Sequence, residues 1–203
     1  MADLLEMLLQ FRVDKHVLLA DIRKAFLMIK LRLEEDKNRF CFFLKEGDQL
    51  VCFRYTTLIF GFNASPFILN YVLKHHAQRF PADECTEMLN NNFYVDNLIK
   101  TSNSLERLVA LYKESKVRMS KGNFDLKYNT NVPQLRDEMI RDHNFVEHGS
   151  KTEKVLGYEY SPETDTIKVN VSKIKAKAVS KREVLSETSK VFDPLSLCLT
   201  VTI

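Results

Sequence analysis

The chain has 203 residues, a length that accommodates one sizeable domain or two small ones. Its hydrophobic content of 45% is typical of a globular protein and excludes a disordered one. Thirty basic and 27 acidic residues leave a formal net charge of only +3, which does not by itself indicate a nucleic-acid-binding protein.

The basic residues are distributed unevenly. Between Lys168 and Lys190 there are seven Lys or Arg residues, against the two acidic residues Glu183 and Glu187. A solvated helix face and a phosphate-contacting surface would both produce such a run.

The cysteines are scattered and form no CxxC pair, and no Cys and His set has zinc spacing. This pattern predicts reduced, mostly buried thiols and an intracellular, cytoplasmic location, with retroelement particles as one setting. The four cysteines are Cys41, Cys52, Cys85 and Cys198. No apolar run approaches membrane-spanning length, and the N-terminus lacks a signal-peptide pattern, so no membrane partner is expected.

Hydrophobic periodicity and turn residues predict the elements of the first half of the chain. They are a helix at 2–12, a strand at 16–20, a helical turn at 22–29, strands at 39–44 and 50–55, a helix up to about 80 and a further helix from 81. Ser65 suits the N-cap and Pro66 the first position of the helix that ends near residue 80.

Residues 92–99 predict a tight hairpin with Asp96 and Asn97 at its tip, because β-forming residues stand on both sides of this polar pair. A carboxylate at a rigid hairpin tip can hold a metal ion, and an ordinary Asp–Asn turn is the simpler interpretation. Asp21, which follows a buried strand, offers the same choice between a metal ligand and a helix cap.

The second half continues the mixture of helices and strands. The predicted elements are a helix at 104–122, a strand at 124–128, a helix at 133–142, a hairpin of strands 155–160 and 166–169, and a helix at 181–192. The order β–α–β–β–α–β predicts an α+β fold, namely a ferredoxin-like antiparallel sheet with helices on one face and a short C-terminal helical extension.

Four motifs occur in order: ADIRKAF at 20–26, FGFNASPF at 60–67, YVDN at 94–97 and VLGY at 155–158. They resemble the palm of a reverse transcriptase, most closely that of BEL/Pao-type LTR retrotransposons. KREVLS at 181–186 and FDPL at 192–195 resemble the segment that follows the palm. The resemblance covers nearly the whole chain and implies a palm-like domain at 1–170 and the start of a thumb or connection segment at 171–203.

The resemblance implies nucleotidyl transfer assisted by two Mg²⁺ ions, with Mn²⁺ as an alternative. Asp21 would bridge both ions with help from the backbone carbonyl of Ile22, and Asp96 would supply the second carboxylate. Mg²⁺ prefers hard oxygen ligands, which explains why carboxylates from separate strands would converge on it.

The resemblance also assigns residues to the nucleotide. Phe26 would be the steric gate against a ribose 2′-hydroxyl, and a core aromatic is the structural alternative. Gly61, beside Phe60, would let the backbone approach nucleotide or template, whereas a turn glycine is the plain interpretation. Lys127 would contact the triphosphate, although it is also an ordinary solvated strand lysine.

The implied partners are an RNA or DNA template–primer and deoxynucleoside triphosphates. The primer grip would consist of Leu156, Gly157 and Tyr158. The fingers, the rest of the thumb and the RNase H region of a polyprotein are expected as further partners, because the chain begins just before the first motif and ends soon after the last.

Two positions depart from the family pattern: Asn97 stands where most members have Asp, and Ile59 stands where a proline is usual. An amide supplies a neutral oxygen without charge, so binding of at least one Mg²⁺ should weaken. Two functions stay open: a weak or inactive fragment of a retrotransposon reverse transcriptase, and a catalytically dead nucleic-acid-binding module or retroelement relic.

Overall fold

The computed structural model describes residues 3–145, 152–174 and 180–198. The helices in these ranges are α1 (Leu4–Gln10), α2 (Glu34–Asn38), α3 (Ser65–Ala77), α4 (Glu84–Asn91), α5 (Leu105–Lys121), α6 (Pro133–Arg141) and α7 (Lys181–Thr188). The strands are β1 (His16–Ile22), β2 (Cys41–Glu46), β3 (Gln49–Arg54), β4 (Phe93–Tyr94), β5 (Asn97–Ser102), β6 (Leu126–Thr130), β7 (Glu153–Val155), β8 (Tyr158–Ser161) and β9 (Thr166–Lys168). A 3₁₀ helix, Ala25–Met28, follows β1.

In the described part of the chain the strands form three antiparallel sheets. The largest has the order β4–β5–β1–β6, and the other two are the hairpin β2–β3 and the three-stranded sheet β7–β8–β9. Within the largest sheet the chain runs β–α–β–β–α–β, because α3 and α4 precede the β4–β5 hairpin and α5 precedes β6. The predicted α+β class is therefore confirmed, while the finer palm assignment stays a prediction.

Strand β1 contributes apolar side chains to both faces of the largest sheet, as the alternation of a strand requires. Leu18, Ala20 and Ile22 lie in the main core with side chains of α3, α4, α5 and α6. Val17 and Leu19 lie in a second cluster with side chains of α1 and β8. The prediction of helices on one face is therefore incomplete, since α1 contacts the second face.

The second face changes character along β1. Near the start of the strand it carries apolar side chains that α1, β7 and β8 cover. At the other end Asp21, Asn97 and Lys127 stand on the same face. Burying charges without partners is unfavourable, so covering elements are expected at the apolar end and solvent at the polar end.

Several predicted boundaries differ from the structure. Strand β1 continues through Ile22, so Asp21 lies within the strand and is not a helix cap, because β5 and β6 pair with it on both sides. Ala64 is the N-cap of α3, since the Ser65 hydroxyl donates to the Ile59 carbonyl at 2.7 Å instead of capping. Helix α7 ends at Thr188, four residues earlier than predicted.

The hairpin β2–β3 is largely exposed to solvent. Every residue of β2 is exposed, including Phe43 at 66%. Cys41 and Cys52 are also exposed, so the prediction of mostly buried thiols is wrong for these two and right for Cys85. A two-stranded sheet has too few neighbours to bury both of its faces, which explains the exposure.

Arg118 of α5 joins α4 and α5 in the main body. Its side chain is 5% exposed, and its guanidinium donates to both carboxylate oxygens of Asp83, at 2.8 and 2.5 Å, and to Glu114 at 2.8 Å. The hydrogen bonds from Arg118 hold the pKa of Asp83 well below its usual range. Arg118→Ala removes these bonds and the packing of the side-chain stem, so we expect the free energy of unfolding to fall by about 2 kcal/mol in urea titration.

Arg107→Ala provides the matched control for that prediction. Arg107 also forms an ion pair between α5 and α4, with Glu84 at 2.5 Å, but its side chain is 60% exposed. Solvent screens exposed ion pairs, so we expect little change in stability. Equal losses for the two variants would show that burial of Arg118 does not matter.

Candidate functional site

Three polar residues form a row across one end of the largest sheet. Asp21 of β1 lies directly opposite Asn97 of β5 on one side and Lys127 of β6 on the other. Directly opposed residues of antiparallel strands point to the same face. The sheet therefore brings together side chains that stand 76 and 106 positions from Asp21 in the sequence.

The β4–β5 hairpin places Asp96 beside this row. Tyr94 pairs with Asn97, so the two residues of the turn are Val95 and Asp96. The prediction is right for Asp96 and wrong for Asn97, which begins β5 instead of lying at the tip. Val95 has a φ of 58°, a left-handed value that is unfavourable for a β-branched residue. Backbone strain of this kind concentrates at functional sites.

Main-chain and side-chain hydrogen bonds join the two acidic motifs. The Ile22 amide donates to the Asp96 carbonyl at 3.0 Å. The Asn97 side-chain amide donates to the Asp96 carboxylate at 3.0 Å. The structure thus brings Asp21, Ile22, Asp96 and Asn97 together at the end of β1.

The Asp96 carboxylate lies in a half-buried position. Burial raises its pKa above the ordinary aspartate value, while hydrogen bonds to it, including that from Asn97, act in the opposite direction. A carboxylate kept where ionisation is unfavourable is a candidate for a functional group, because a perturbed pKa is common at such sites.

The residues near the end of β1 carry the hard oxygen donors that Mg²⁺ prefers. Asp21 and Asp96 supply two carboxylates, and Asn97 and the Ile22 carbonyl supply neutral oxygens. Among the described residues no group of three or more His, Cys, Asp or Glu could form a metal site. Mg²⁺ sites commonly use one or two carboxylates completed by water and phosphate oxygens, so the number and chemical type of these donors match such a site.

A cleft of about 810 Å³ opens on this face, between the largest sheet and strands β7 and β8. Its volume lies within the usual range for ligand sites. Asp21 and Asn97 line it, and its lining among the described residues includes basic and acidic side chains in equal number. The charged residues are Asp21, Arg23, Lys127, Glu153, Lys154 and Glu159.

Lys127 lines the cleft, but its amine is engaged elsewhere. It donates to the His143 carbonyl at 3.0 Å and lies 3.6 Å from a carboxylate oxygen of Asp125. Contact between Lys127 and a triphosphate stays a prediction, and it would require the side chain to leave these two partners.

Phe26 and Gly61 lie apart from the cleft lining. Phe26 is 6% exposed and belongs to the main core, which corresponds to the structural alternative for this residue. The ring of Phe60 lies edge-on to the Phe26 ring, with ring centroids 4.8 Å apart, and Phe60 is itself 65% exposed. Gly61 has a φ of +83° with open space where a Cβ would lie, so the turn requires glycine for its backbone conformation. The steric-gate and nucleotide-approach roles stay predictions.

The predicted primer-grip residues form a tight turn at the edge of the cleft. Val155 pairs with Tyr158, and Leu156 and Gly157 connect them with φ values of 48° and 96°. The prediction of one continuous strand at 155–160 is therefore wrong, because two left-handed residues reverse the chain. Val155 and Glu159, on either side of the turn, line the cleft.

Sequence reasoning did not identify Arg23, Asn129, Glu153, Lys154 or Glu159 as cleft residues. The side-chain amide of Asn129 donates to the Glu153 carboxylate and so links β6 to β7. Alternation along β6 could have indicated Asn129, which lies two residues after Lys127. The acidic and basic residues of β7 and β8 carry no such signal, since their position depends on the packing of one sheet on another.

A scan against protein-family models and a search of curated proteins both gave no significant match to the chain. Among the described residues, no helix is long and apolar enough to cross a membrane. A function is therefore inferred from the geometry of the cleft and from the sequence motifs.

Proposed function

We propose that the chain is the palm-like part of a reverse transcriptase, an RNA-directed DNA polymerase of the BEL/Pao retrotransposon type. The observation that carries this proposal is the hydrogen bond from the Ile22 amide to the Asp96 carbonyl, which joins two acidic motifs far apart in the sequence. The β–α–β–β–α–β order of the largest sheet supports a ferredoxin-like palm.

In this proposal Asp21 and Asp96 hold Mg²⁺ together with the phosphates of a deoxynucleoside triphosphate. The metal, when bound, stabilises the charge that develops as the primer 3′-hydroxyl displaces pyrophosphate. The amide of Asn97 orients the Asp96 carboxylate, and the carbonyl of Ile22 completes the oxygen donors. The pairing of β1 with β5 keeps these groups in register before substrate arrives.

The cleft would receive the template–primer. Arg23, Lys127 and Lys154 would contact its phosphates, although the described lining carries acidic side chains in equal number, and the turn at Leu156 and Gly157 would contact the primer. Positively charged side chains near a nucleic-acid backbone supply affinity without sequence preference.

A second function is favoured by Asn97. An amide that donates to Asp96 supplies no negative charge, so the site has one carboxylate fewer than the family pattern. A catalytically dead module or relic that still binds nucleic acid would have this arrangement. Primer extension by a chain extended with fingers and thumb regions discriminates between the two functions, because both bind nucleic acid and only one extends a primer.

Salt-dependent binding of nucleic acid tests the common part of both functions. We expect this chain to bind a labelled RNA–DNA duplex weakly and without sequence preference in fluorescence anisotropy. Affinity should fall at least about tenfold between about 50 and about 200 mM salt, since phosphate contacts release counterions. The exposed residues Lys154 and Lys168, on the small sheet, and the basic segment up to Lys190 are the expected contacts.

Charge-matched variants sharpen this test. Lys154→Gln/Lys168→Gln should weaken binding and lower the salt slope by about two. Lys113→Gln/Lys121→Gln removes the same charge from α5, on the opposite face of the largest sheet. This control should leave the affinity and the salt slope unchanged. An affinity that does not vary with salt, or no binding at low salt, would contradict the proposal.

A further inference from the structure

Residues 192–198 fold against strand β8. The Tyr158 hydroxyl donates to an Asp193 carboxylate oxygen at 2.9 Å and accepts from the Leu195 amide at 2.9 Å. The same carboxylate accepts from the amides of Leu197 at 3.0 Å and Cys198 at 2.7 Å. One tyrosine hydroxyl and one carboxylate therefore organise the whole segment.

Both groups are strongly held in this arrangement. Tyr158 is 1% exposed, and burial raises the pKa of its hydroxyl to about 12. Burial also acts to raise the pKa of Asp193, but hydrogen bonds from the two amides and from Tyr158 outweigh it and hold that pKa below the ordinary value. The hydroxyl thus stays protonated as a donor and the carboxylate stays ionised as an acceptor at neutral pH.

The segment also contacts the turn that precedes Tyr158. A Cβ at Gly157 would overlap the ring of Phe192, and the φ of +96° at Gly157 is unfavourable for other residues. The Phe192 ring additionally lies edge-on to Tyr158, with ring centroids 6.4 Å apart. Glycine at this position serves both the turn and the close approach of the segment.

We infer that Tyr158 and Asp193 are positioning residues that hold the Leu156–Gly157 turn at the edge of the cleft. The role in primer binding rests on the proposed function, whereas the coupling between turn and segment does not. Strands β7 and β8 are short, and a three-stranded sheet of this size has little stability of its own. The segment supplies contacts to the turn through Phe192 at Gly157 and through Asp193 and Leu195 at Tyr158.

Hydrogen exchange on the full chain tests the coupling. Tyr158→Phe removes the hydroxyl that donates to Asp193. Asp193→Asn replaces the charged acceptor by a neutral amide with one acceptor oxygen, which cannot serve the Tyr158 hydroxyl and both backbone amides. Both substitutions keep side-chain size. We expect faster exchange in peptides covering 192–198 and also in those covering 153–160. Phe192→Ala, at a 49% exposed side chain, tests the same coupling without altering a buried residue.

Tyr160→Phe is the matched control. Tyr160 is a buried tyrosine in the same strand, and its hydroxyl donates to the Asp165 carboxylate at 2.9 Å, away from residues 192–198. We expect exchange at 192–198 to stay at the wild-type rate in this variant. Faster exchange at 192–198 alone in Asp193→Asn, with 153–160 unchanged, would overturn the inference.

Duplex binding measures the consequence of the coupling. In variants that keep the wild-type melting temperature, Tyr158→Phe and Asp193→Asn should raise the Kd for a primer–template duplex at least about fivefold. Tyr160→Phe should leave this Kd unchanged. Faster exchange at both peptides with an unchanged Kd would overturn the positioning role. A wild-type chain that does not bind the duplex would overturn the proposed function, and the exchange experiment would still decide the coupling.

Discussion

Asn97→Asp is expected to tighten Mg²⁺ binding about tenfold, or about 1.4 kcal/mol. The substitution keeps size and shape and places a second carboxylate beside Asp96, where the amide now donates to it. Without metal, two adjacent negative charges repel, so the variant should be less stable than wild type. With Mg²⁺ it should gain more in melting temperature than wild type does, because divalent cations bind fixed negative charge.

Catalysis should follow metal affinity. This chain by itself is not expected to extend a primer detectably. In a chain extended with fingers and thumb regions, Asn97→Asp should raise primer extension on an RNA template at least about tenfold. Mn²⁺, which binds such ligands more tightly than Mg²⁺, should partly rescue the Asn97 form.

Asn103→Asp is the control for the effect of Asn97→Asp. The Asn103 amide also donates to a carboxylate, that of Asp14 at 2.6 Å, just beyond the opposite end of β5. This variant should be less stable than wild type, and Mg²⁺ should not raise its melting temperature more than that of wild type. If wild type and Asn97→Asp extend a primer equally well in Mg²⁺, asparagine is an accepted residue at this position.

Asp21→Asn and Asp96→Asn are expected to abolish metal-dependent activity. Each removes one of the two carboxylates of the proposed metal site, so primer extension by the extended chain should fall at least about a hundredfold. Isothermal titration of Mg²⁺ together with nucleotide would detect the same loss in this chain. Retention of activity in either variant would exclude the shared metal site.

The pH dependence of stability gives Asp96 a separate signature. Burial holds its folded-state pKa above the unfolded-state value. The stability that this group contributes is complete below the unfolded-state pKa and is lost as the pH rises through the folded-state pKa. Asp96→Asn should therefore be more stable than wild type at neutral pH, by a margin that shrinks in acid.

Urea titration at several pH values would measure this difference. Asp137→Asn, at an exposed position on α6, serves as a control that should show no such gain. A stabilised but inactive Asp96→Asn variant would identify the carboxylate as one retained for function at the expense of stability. A loss of stability at neutral pH would contradict the assignment.

Local chemistry made much of the fold predictable. Helix α5 runs from Leu105 to Lys121, as Ser104 and Gly122 predict, because the Ser104 hydroxyl accepts from the Arg107 amide and the helix ends at glycine. The hairpins β2–β3 and β4–β5 also follow from turn residues between β-forming segments. Helix caps and tight turns depend on hydrogen bonds within about four residues, so the sequence carries them directly.

The sequence by itself thus determined the α+β class and the β4–β5 hairpin. It also singled out Asp21 and Asp96 as the acidic residues of two motifs. Only the tertiary structure decided that Asp21 lies within a strand, that Asn129 reaches Glu153, and that residues 192–198 contact Tyr158. These contacts join residues 24 to 106 positions apart, so they depend on the register of β1 between β5 and β6 and on one sheet packing against another. Hydrophobic periodicity specifies which face of a strand is apolar, but it does not specify which strand lies beside it.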